Sequence, residues 1–382
     1  MEEHGHSEQE VLALLEEAYR KNHHFKNGRV LSSMCTAPHE IAIKAHMKFI
    51  ESNLGNPDLY PGTKLLEAEV IKLLGNLLHG PNVSGHMTSG GTEANITALW
   101  IAKKMTGKRE VLFPKSAHFS IVKALDLLGL TPVEVELDGQ YRMSADDVET
   151  KLSENTCAVV CMAGSTELGV IDPIEKLSEL CNENVFLHVD AAFGGFVLPF
   201  LKDLGYELPK FDFELPGVNS LSTDPHKMGI STIPAGALLY SDERFIEGIT
   251  VDAPYLISMK HSTLTGTRGS AAVAATYAVL KKLGRKGFIE IVRGCMMNTD
   301  YLVNKIEDLG LELAIKPVMN VIGIKFPDPE KVIHELANRN WFVSKGRYPS
   351  TVRIVVMPHV TRVVIDQFLP DFEKTCRALE EI

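Results

Sequence analysis

Cysteine is scarce in this sequence, and the few that occur form none of the patterns of a cross-linked or zinc-bound fold. The six cysteines lie at positions 35, 157, 161, 181, 295 and 376, without a C-x-x-C pair and without histidines clustered at ligand spacing. A disulfide framework and a structural zinc site are therefore not expected, and no metal is assigned.

Basic charge is in deficit as well. The chain carries 39 Lys and Arg against 49 Asp and Glu, a formal net charge of −10, whereas proteins that bind nucleic acid present a basic surface. The longest uncharged run, residues 73–92, is interrupted by Gly, Pro, Asn and Ser and is unsuited to span a bilayer. Residues 1–10 are acidic and polar, unlike a secretory signal. We therefore expect a cytoplasmic protein without a nucleic-acid or membrane partner.

The sequence does contain a regular alternation of short apolar runs with amphipathic segments. The predicted strands are 110–114, 132–137, 158–163, 185–189, 220–223 and 237–240, with helical patterns such as 121–128 between several of them. A helix over 64–78, a Gly/Ser-rich connection through Thr92 and a helix over 93–104 come before these strands. This alternation predicts an α/β fold with a mostly parallel, doubly wound sheet.

Three parts are predicted along the chain: a helical N-terminal arm over 1–55, a large domain over 56–275 that contains the sheet, and a smaller α+β domain over 276–382. The Ala-rich, uncharged run 269–280 predicts a long buried helix that links the last two. In the small domain the patterns predict strands at 311–317, 321–326, 341–343 and 352–356 and helices at 301–309, 330–339 and 364–379.

Open parallel sheets bind ligands at the carboxyl ends of their strands, and two polar motifs lie at such ends. Residues 88–95 read TSGGTEAN, where two glycines allow close backbone approach and the following helix offers free N–H groups to an anion. On its own, a Gly-Gly pair before a helix is more often part of an ordinary turn. Residues 188–195 read HVDAAFGG, and Asp190 is suited either to hold a heteroaromatic nitrogen protonated or to cap the next turn.

Two further candidates carry an amine and an imidazole. Lys227 follows a strand and a proline-fixed turn in STDPHKMG, and a lysine against apolar and cationic neighbours has a lowered pKa and becomes a nucleophile that forms Schiff bases. The alternative is a solvated surface lysine. His118 follows the 110–114 strand, and a single histidine there is either catalytic or structural.

Taken together and in this order, the four motifs resemble the fold type I enzymes that use pyridoxal 5'-phosphate. The resemblance covers nearly the whole chain and points to the group II amino-acid decarboxylases, in particular the archaeal L-tyrosine/L-aspartate decarboxylase family. The blocks that carry it are 33–35, 85–86, 89–95, 116–120, 188–195, 224–229, 252–256 and 353–360.

This resemblance implies a role for each matching residue. Lys227 would bind the cofactor as a Schiff base, Asp190 would pair with the pyridine nitrogen, and His118 and Ala192 would lie on the two faces of the ring. The residues implied around the phosphate and the ring edge are Gly90, Gly91, Thr92, Thr166 and His226. Thr267, in Gly-Thr-Arg, resembles a segment that reaches the partner's site, which implies a homodimer with shared active sites.

Arg353 lies in the predicted small domain, after Thr351 and Val352. Its guanidinium fork suits the α-carboxylate of an amino acid, although the same residue type also forms structural salt bridges. The similarity to the decarboxylase block favours substrate binding.

Two departures from the family pattern concern the proton donor and the phosphate. Many group II decarboxylases carry a tyrosine on a long loop after the lysine, whereas residues 257–265 are short and lack tyrosine. Tyr255 and His261 remain candidate donors, each with a packing or surface role as the alternative. Asp224 stands where several relatives have asparagine, and it would repel a phosphate unless it is paired or turned away.

The substrate stays open at this point between L-tyrosine, giving tyramine for methanofuran, and L-aspartate, giving β-alanine for coenzyme A, as the resemblance implies for archaea. Lys345 or Arg347 would suit the second carboxylate of aspartate, and His39 or Ser33 the hydroxyl of tyrosine. Block 224–229 also resembles the phosphosphingosine lyases, which makes a carbon–carbon lyase the alternative. A non-catalytic homologue would be expected to lack Lys227 or Asp190, and both are present.

Overall fold

The computed structural model describes residues 1, 3–181 and 184–381. The helices are α1 (Glu8–Arg20), α2 (Glu40–Lys48), α3 (Pro61–Leu77), α4 (Gly91–Thr106), α5 (Phe119–Leu128), α6 (Ala145–Lys151), α7 (Ile174–Leu180), α8 (Leu198–Asp203), α9 (Ser270–Asp308), α10 (Pro329–Asn338) and α11 (Arg362–Ala378). The strands are β1 (Ser84–Thr88), β2 (Glu110–Pro114), β3 (Thr131–Val135), β4 (Thr156–Met162), β5 (Phe186–Asp190), β6 (Val218–Thr223), β7 (Gly236–Tyr240), β8 (Val251–Asp252), β9 (Lys260–His261), β10 (Val321–Lys325), β11 (Ser344–Arg347) and β12 (Ser350–Val355).

The large sheet has seven strands in the order β1-β7-β6-β5-β4-β2-β3. Neighbours from β6 to β3 pair in parallel, and β7 runs antiparallel to both β1 and β6. The predicted α/β fold with a mostly parallel sheet is therefore confirmed. Among the described residues, no helix is both long enough and apolar enough to cross a bilayer.

The central strands are buried on both faces, which explains their nearly continuous apolar sequences. Along β4, Val159 and Cys161 belong to one core cluster and Ala158 and Val160 to the cluster on the opposite face. A third cluster lies around the three-stranded sheet β10-β12-β11 with α10 and α11. The polar ends of the parallel strands are thereby held at one edge by packing on both sides.

Four details of the predicted secondary structure are wrong. The connection before α4 contains β1, an edge strand whose Ser-Gly-His-Met-Thr sequence lacks an apolar run. Residues 311–317 form no strand, because only Leu313 pairs, with Ile324, and Pro317 has no amide to donate. Residues 341–343 pair only at Phe342, with Val30 of the N-terminal arm. The hairpin strand β11 is polar and carries no apolar alternation.

Helix α9 is longer than the sequence pattern predicts. It extends over Ser270–Asp308, with one non-helical residue at Gly284, and it absorbs the separate helix predicted at 301–309. The predicted boundary between residues 275 and 276 lies inside this helix, so a helix rather than a linker joins the two predicted domains there.

Candidate active site

A cavity of about 290 Å³ opens at the carboxyl ends of the parallel strands. Nine of the eleven predicted site residues line it: Gly90, Gly91, Thr92, His118, Thr166, Asp190, Ala192, His226 and Lys227. The fold thus brings together residues that are separated by more than a hundred positions in the chain, and it places them where open parallel sheets bind their ligands.

At the start of α4 the wall of the cavity includes two residues without side chains, Gly90 and Gly91. Gly90 precedes the helix with a φ of 145°, and Gly91 is its first residue. A Cβ on Gly91 would lie 3.2 Å from both the Ala192 Cβ and the Asp224 Oδ2. The first N–H groups of a helix have no acceptor within the helix, so this bare helix start offers donors to an anion.

Asp190 ends β5 and is almost completely buried. Its Oδ1 accepts a hydrogen bond from the Ala192 amide at 3.0 Å, and its Oδ2 accepts one from Asn95 Nδ2 at 2.7 Å. Both oxygens are therefore oriented by donors, which fits an ionised carboxylate.

Lys227 follows β6 after a tight turn, and its Nζ lies 3.1 Å from Asp224 Oδ2. Burial acts to lower the pKa of Lys227, but the carboxylates of Asp224 and Asp190 outweigh it and raise that pKa above the ordinary value. The expectation of a lowered pKa from apolar and cationic neighbours is therefore wrong for this structure, because the nearest charged groups are anionic. Asp224, the departure noted in the sequence, is paired rather than free.

His118 is the N-cap of α5, where its Nδ1 accepts a hydrogen bond from the Ser120 amide at 3.3 Å and lies 2.9 Å from the Ser120 hydroxyl. Burial lowers the pKa of His118, with Asp190 opposing in part. The imidazole is thus held in place by the first turn of its own helix.

The comparisons with known proteins agree on one family. The model of the pyridoxal-dependent decarboxylase conserved domain matches residues 19–326. The chain is 47% identical to a probable L-tyrosine/L-aspartate decarboxylase of Methanocella arvoryzae, over 98% of this chain and 100% of that protein. It is 44% identical to an L-aspartate/L-glutamate decarboxylase of Pyrococcus horikoshii, over 97% of this chain and 98% of that protein.

The chain belongs to the pyridoxal-dependent decarboxylase family.

Solved structures show the same fold. A sphingosine-1-phosphate lyase of Burkholderia pseudomallei superposes with a TM-score of 0.92 at 26% identity, over 99% of this chain and 92% of that chain. A glutamate decarboxylase of Lactobacillus brevis superposes with a TM-score of 0.88 at 20% identity, over 100% and 95% of the two chains. The fold is that of the type I pyridoxal phosphate enzymes, and the protein is a pyridoxal phosphate-dependent amino-acid decarboxylase.

The cavity of this decarboxylase suits its cofactor on three structural grounds. The primary amine of Lys227 lies 3.1 Å from the buried carboxylate of Asp224 and is also influenced by the charge of Asp190, a helix begins with two glycines, and Oδ1 of Asp224 is buried without a partner among the described residues. A cofactor that carries an aldehyde, a basic ring nitrogen and a phosphate uses such groups.

The remaining two predicted site residues lie outside this cavity. Arg353, on β12, is buried and donates from Nη1 to the Ser32 carbonyl at 3.1 Å and to Ser344 Oγ at 2.9 Å; its Nε has no partner among the described residues. Burial lowers the pKa of Arg353 to about 10, with Glu167 opposing. Thr267 lines a separate cavity of about 240 Å³, which adjoins the first at Ser89.

The four side chains that the sequence suggested for recognition of the substrate side chain form other contacts in the structure. Lys345 Nζ pairs with Glu330 at 2.6 Å, and Arg347 donates from Nη2 to the Lys115 carbonyl at 3.1 Å. His39 caps α2 through Nδ1. The hydroxyl of Ser33 accepts from the Cys35 amide at 3.0 Å.

The candidate proton donors do not line the cavity either. Tyr255 is 85% exposed, and His261 Nε2 lies 3.2 Å from Thr263 Oγ1 within its own loop.

Sequence reasoning missed the polar groups beneath the cavity, which come from four elements. They are Asn95 of α4, Ser120 of α5, His188 of β5, and Ser220 and Ser222 of β6. The sequence does contain one pattern that indicates them. The buried strands β5 and β6 carry polar residues two positions apart, at 188 and 190 and at 220 and 222. Residues two apart in a strand face the same side of the sheet, so these side chains are expected to form a polar group on one face.

Proposed function

We propose that this decarboxylase acts on L-tyrosine, forming tyramine, and accepts L-aspartate, forming β-alanine, as its second substrate. The observation that carries the choice is the lining of the cavity beyond the cofactor residues, where Met34, Phe119, Met162 and Phe193 contribute apolar surface. Lys345 and Arg347, the cations considered for a second carboxylate, are engaged elsewhere. An apolar slot favours an aromatic side chain, and the Methanocella relative carries both substrates in its name.

Each cavity residue has a proposed task in holding the cofactor. Lys227 would bind it covalently, Asp190 would face the ring nitrogen, and His118 and Ala192 would flank the ring. Gly90, Gly91, Thr92, Thr166 and His226 would surround the phosphate and the ring edge. When bound, pyridoxal phosphate supplies the sink for the electron pair that carbon dioxide leaves behind.

The protein's own contribution is binding, orientation and exclusion of water. We propose that Arg353 binds the substrate α-carboxylate, because its guanidinium is buried and retains an unpartnered Nε. A fixed carboxylate determines which bond to Cα is broken. Exclusion of solvent from the reacting carbon would fall to the buried part of the cavity wall, such as Met162 and Phe193.

The functional unit in this proposal is a homodimer with shared active sites. Thr267 lies in the adjoining cavity and outside its own cofactor cavity, as expected of a residue that serves the partner. Helix α1 has no buried residue and exposes Val11, Leu12, Leu14, Leu15 and Tyr19, which is an apolar face suited to a second copy. Sedimentation of the purified protein tests this arrangement; a monomer at micromolar concentration would contradict it.

We place the enzyme in the cytoplasm, where its amine products would enter cofactor synthesis. The pathways that fit are methanofuran synthesis for tyramine and coenzyme A synthesis for β-alanine. An archaeal source, as in the relatives named above, agrees with both.

The experiment is a direct assay of the purified holoenzyme with L-tyrosine, L-aspartate and L-glutamate, each offered separately. We expect carbon dioxide and tyramine from L-tyrosine at the highest kcat/KM, β-alanine at a lower value, and no product from Lys227→Ala. β-Alanine or γ-aminobutyrate as the main product would overturn the substrate assignment.

The alternative function is cleavage of a carbon–carbon bond in a phosphorylated sphingoid base. The superposition on the Burkholderia lyase favours it, whereas the relatives at 44% identity and above are named decarboxylases. Aldehyde release from sphingosine 1-phosphate, with no amine from the three amino acids, would establish the lyase instead.

A further inference from the structure

A continuous set of polar side chains lies between the strands and α4; Asn95 and Asp190 line the cavity, and the others lie beneath it. In the parallel register of β5 and β6, His188 pairs with Ser220 and Asp190 with Ser222. Asn95 of α4 contacts both strands, and all of these side chains except Asp190 are completely buried. Buried polar groups need partners, and here each one finds them within the set.

The orientation of the Asn95 amide follows from Asp190. An ionised carboxylate only accepts hydrogen bonds, so the atom of Asn95 that lies 2.7 Å from Asp190 Oδ2 is the nitrogen Nδ2. The amide oxygen then faces His188 Nε2 at 2.9 Å and Ser222 Oγ at 2.9 Å. His188 Nε2 must donate to it, whereas the single hydroxyl hydrogen of Ser222 is shared between this oxygen and Asp190 Oδ1, which lies 3.3 Å away.

His188 is thereby fixed as one tautomer. Burial lowers the pKa of His188 to about 4, so the ring is neutral and carries a single proton. That proton is on Nε2, because the Asn95 oxygen is unable to donate. His188 Nδ1 accepts from the Ser220 hydroxyl at 2.8 Å.

The same reasoning leads from Asn95 to His118. The second hydrogen of Asn95 Nδ2 points to Ser120 Oγ at 2.9 Å, so the Ser120 oxygen accepts there and its own hydrogen is free to donate. His118 Nδ1 lies 2.9 Å from that hydroxyl and also receives the Ser120 amide. Two donors aimed at Nδ1 leave the imidazole proton on Nε2, at the edge of the ring away from Ser120.

We propose that Asn95 is a positioning residue, whose single amide orients the carboxylate of Asp190 and, through Ser120, fixes His118 with its proton on Nε2. The inference rests on the proposed function in that the cofactor ring is taken to lie against His118, with its nitrogen facing Asp190. One buried amide then orients both the group on one face of the ring and the group at its nitrogen.

The test reads proton positions in the holoenzyme without substrate. With ¹⁵N-labelled histidine, two-bond nitrogen–proton spectra distinguish a ring protonated on Nδ1 from one protonated on Nε2, and His118→Phe assigns the His118 signals. The variants are Asn95→Leu, which removes the amide, and Ser120→Ala, which removes one hydroxyl in the first turn of α5. Thr97→Val is the matched control, because Thr97 is equally buried on α4 and its hydroxyl, within the described part of the chain, donates to the Glu93 carbonyl and not to the polar set.

In the wild type we expect both histidines to be protonated on Nε2 alone. Asn95→Leu should shift the signals of His118 and His188, whereas Ser120→Ala should shift those of His118 only, and Thr97→Val neither. For Asn95→Leu, kcat should fall about ten- to a hundredfold, as for loss of a hydrogen bond to a charged group, with KM changed by less than about threefold.

A wild-type His118 protonated on Nδ1 would overturn the proposal, and so would His118 signals unchanged in Asn95→Leu. If Asn95→Leu does not fold, Ser120→Ala is the deciding variant. An unchanged His118 spectrum in Ser120→Ala also refutes the proposed hydrogen-bond series from Asn95 through Ser120 to His118. The failure of the proposed function is recognised separately, because a wild type that releases no amine still gives the histidine spectra.

Discussion

The pairing of Asp224 with Lys227 leads to a prediction about how the cofactor is loaded. Asp224 Oδ2 lies 3.1 Å from Lys227 Nζ and 3.7 Å from His226 Nε2, in a position where only 2% of the residue is exposed. The same oxygen lies against Gly91, at the proposed phosphate site. Asp224→Asn keeps the shape of the side chain and removes its charge, so it should both free the amine and remove a repulsion.

The size of the effect follows from Coulomb's law. Two unit charges about 3 Å apart attract by about 5 kcal/mol at an effective dielectric constant of about 20, which equals about four pH units of stabilisation for the protonated amine. Burial lowers the pKa of Lys227 in both proteins and so cancels in the comparison, and removal of the Asp224 charge should lower that pKa by more than about one unit. At pH 7 the neutral amine should then be at least about tenfold more abundant in Asp224→Asn.

The assay mixes apoprotein with pyridoxal, which has no phosphate, and separately with pyridoxal phosphate, and follows visible absorbance against pH. With pyridoxal, the pH at which the rate of Schiff-base formation rises should be lower in Asp224→Asn than in wild type. Any additional increase in rate with pyridoxal phosphate measures the lost repulsion between the Asp224 carboxylate and the phosphate. Asp212→Asn, which removes a buried carboxylate from the His79 pair, is the control. Superimposable pyridoxal profiles for Asp224→Asn and wild type would refute the reasoning.

Three further outcomes are expected. Lys227→Ala should retain no visible absorbance after gel filtration with pyridoxal phosphate, since no other amine lines the cavity among the described residues; a retained band would remove Lys227 as the attachment point. Arg353→Met should lower kcat/KM for any amino acid by at least about a hundredfold, the value for two charge-assisted hydrogen bonds, and near-normal kinetics would exclude Arg353 from the site. Burial and Arg268 lower the pKa of the His86 imidazole to about 3 in the folded protein. In the unfolded chain this imidazole binds a proton at its ordinary pKa of about 6.5, so the free energy of unfolding falls as pH decreases below about 6.5. His86→Leu should therefore lose about 2 kcal/mol less than wild type between pH 7 and 5, measured by urea unfolding, and equal losses would contradict this.

The sequence was sufficient for the parallel part of the sheet because each of those strands is an apolar run buried on both faces. It failed at β1 and β11, where edge positions tolerate Ser-Gly-His and Ser-Lys-Gly sequences. Edge strands need no apolar run, since one side faces solvent or a neighbouring loop. At 311–317 the apolar pattern predicted a strand that does not form, because Leu313 alone pairs there, with Ile324.

The site residues also differ in how far they could be predicted. Motifs that lie within a few residues, such as the Gly90–Gly91 pair before α4 or Asp190 at the end of β5, could be predicted from the sequence alone. The contact of Asn95 with His188, Ser120 and Ser222 joins α4, α5, β5 and β6 and depends on strand register and helix placement. The charge environment of Lys227 comes from Asp224, three residues earlier, and from Asp190 of β5. The sequence contained both carboxylates but did not show that they face the amine, which is why the direction of its pKa shift was wrong.

Helix α9 has a consequence for how the protein folds. Its residues Phe288, Val292 and Met296 pack in the core of the large sheet, whereas Leu302 and Ile306 pack in the core of the small one. Neither core is complete without this helix, so a fragment that stops at residue 275 lacks part of both. We therefore expect heating of the full chain to give one cooperative transition in which the two sheets unfold together, because residues of the same helix belong to both hydrophobic cores.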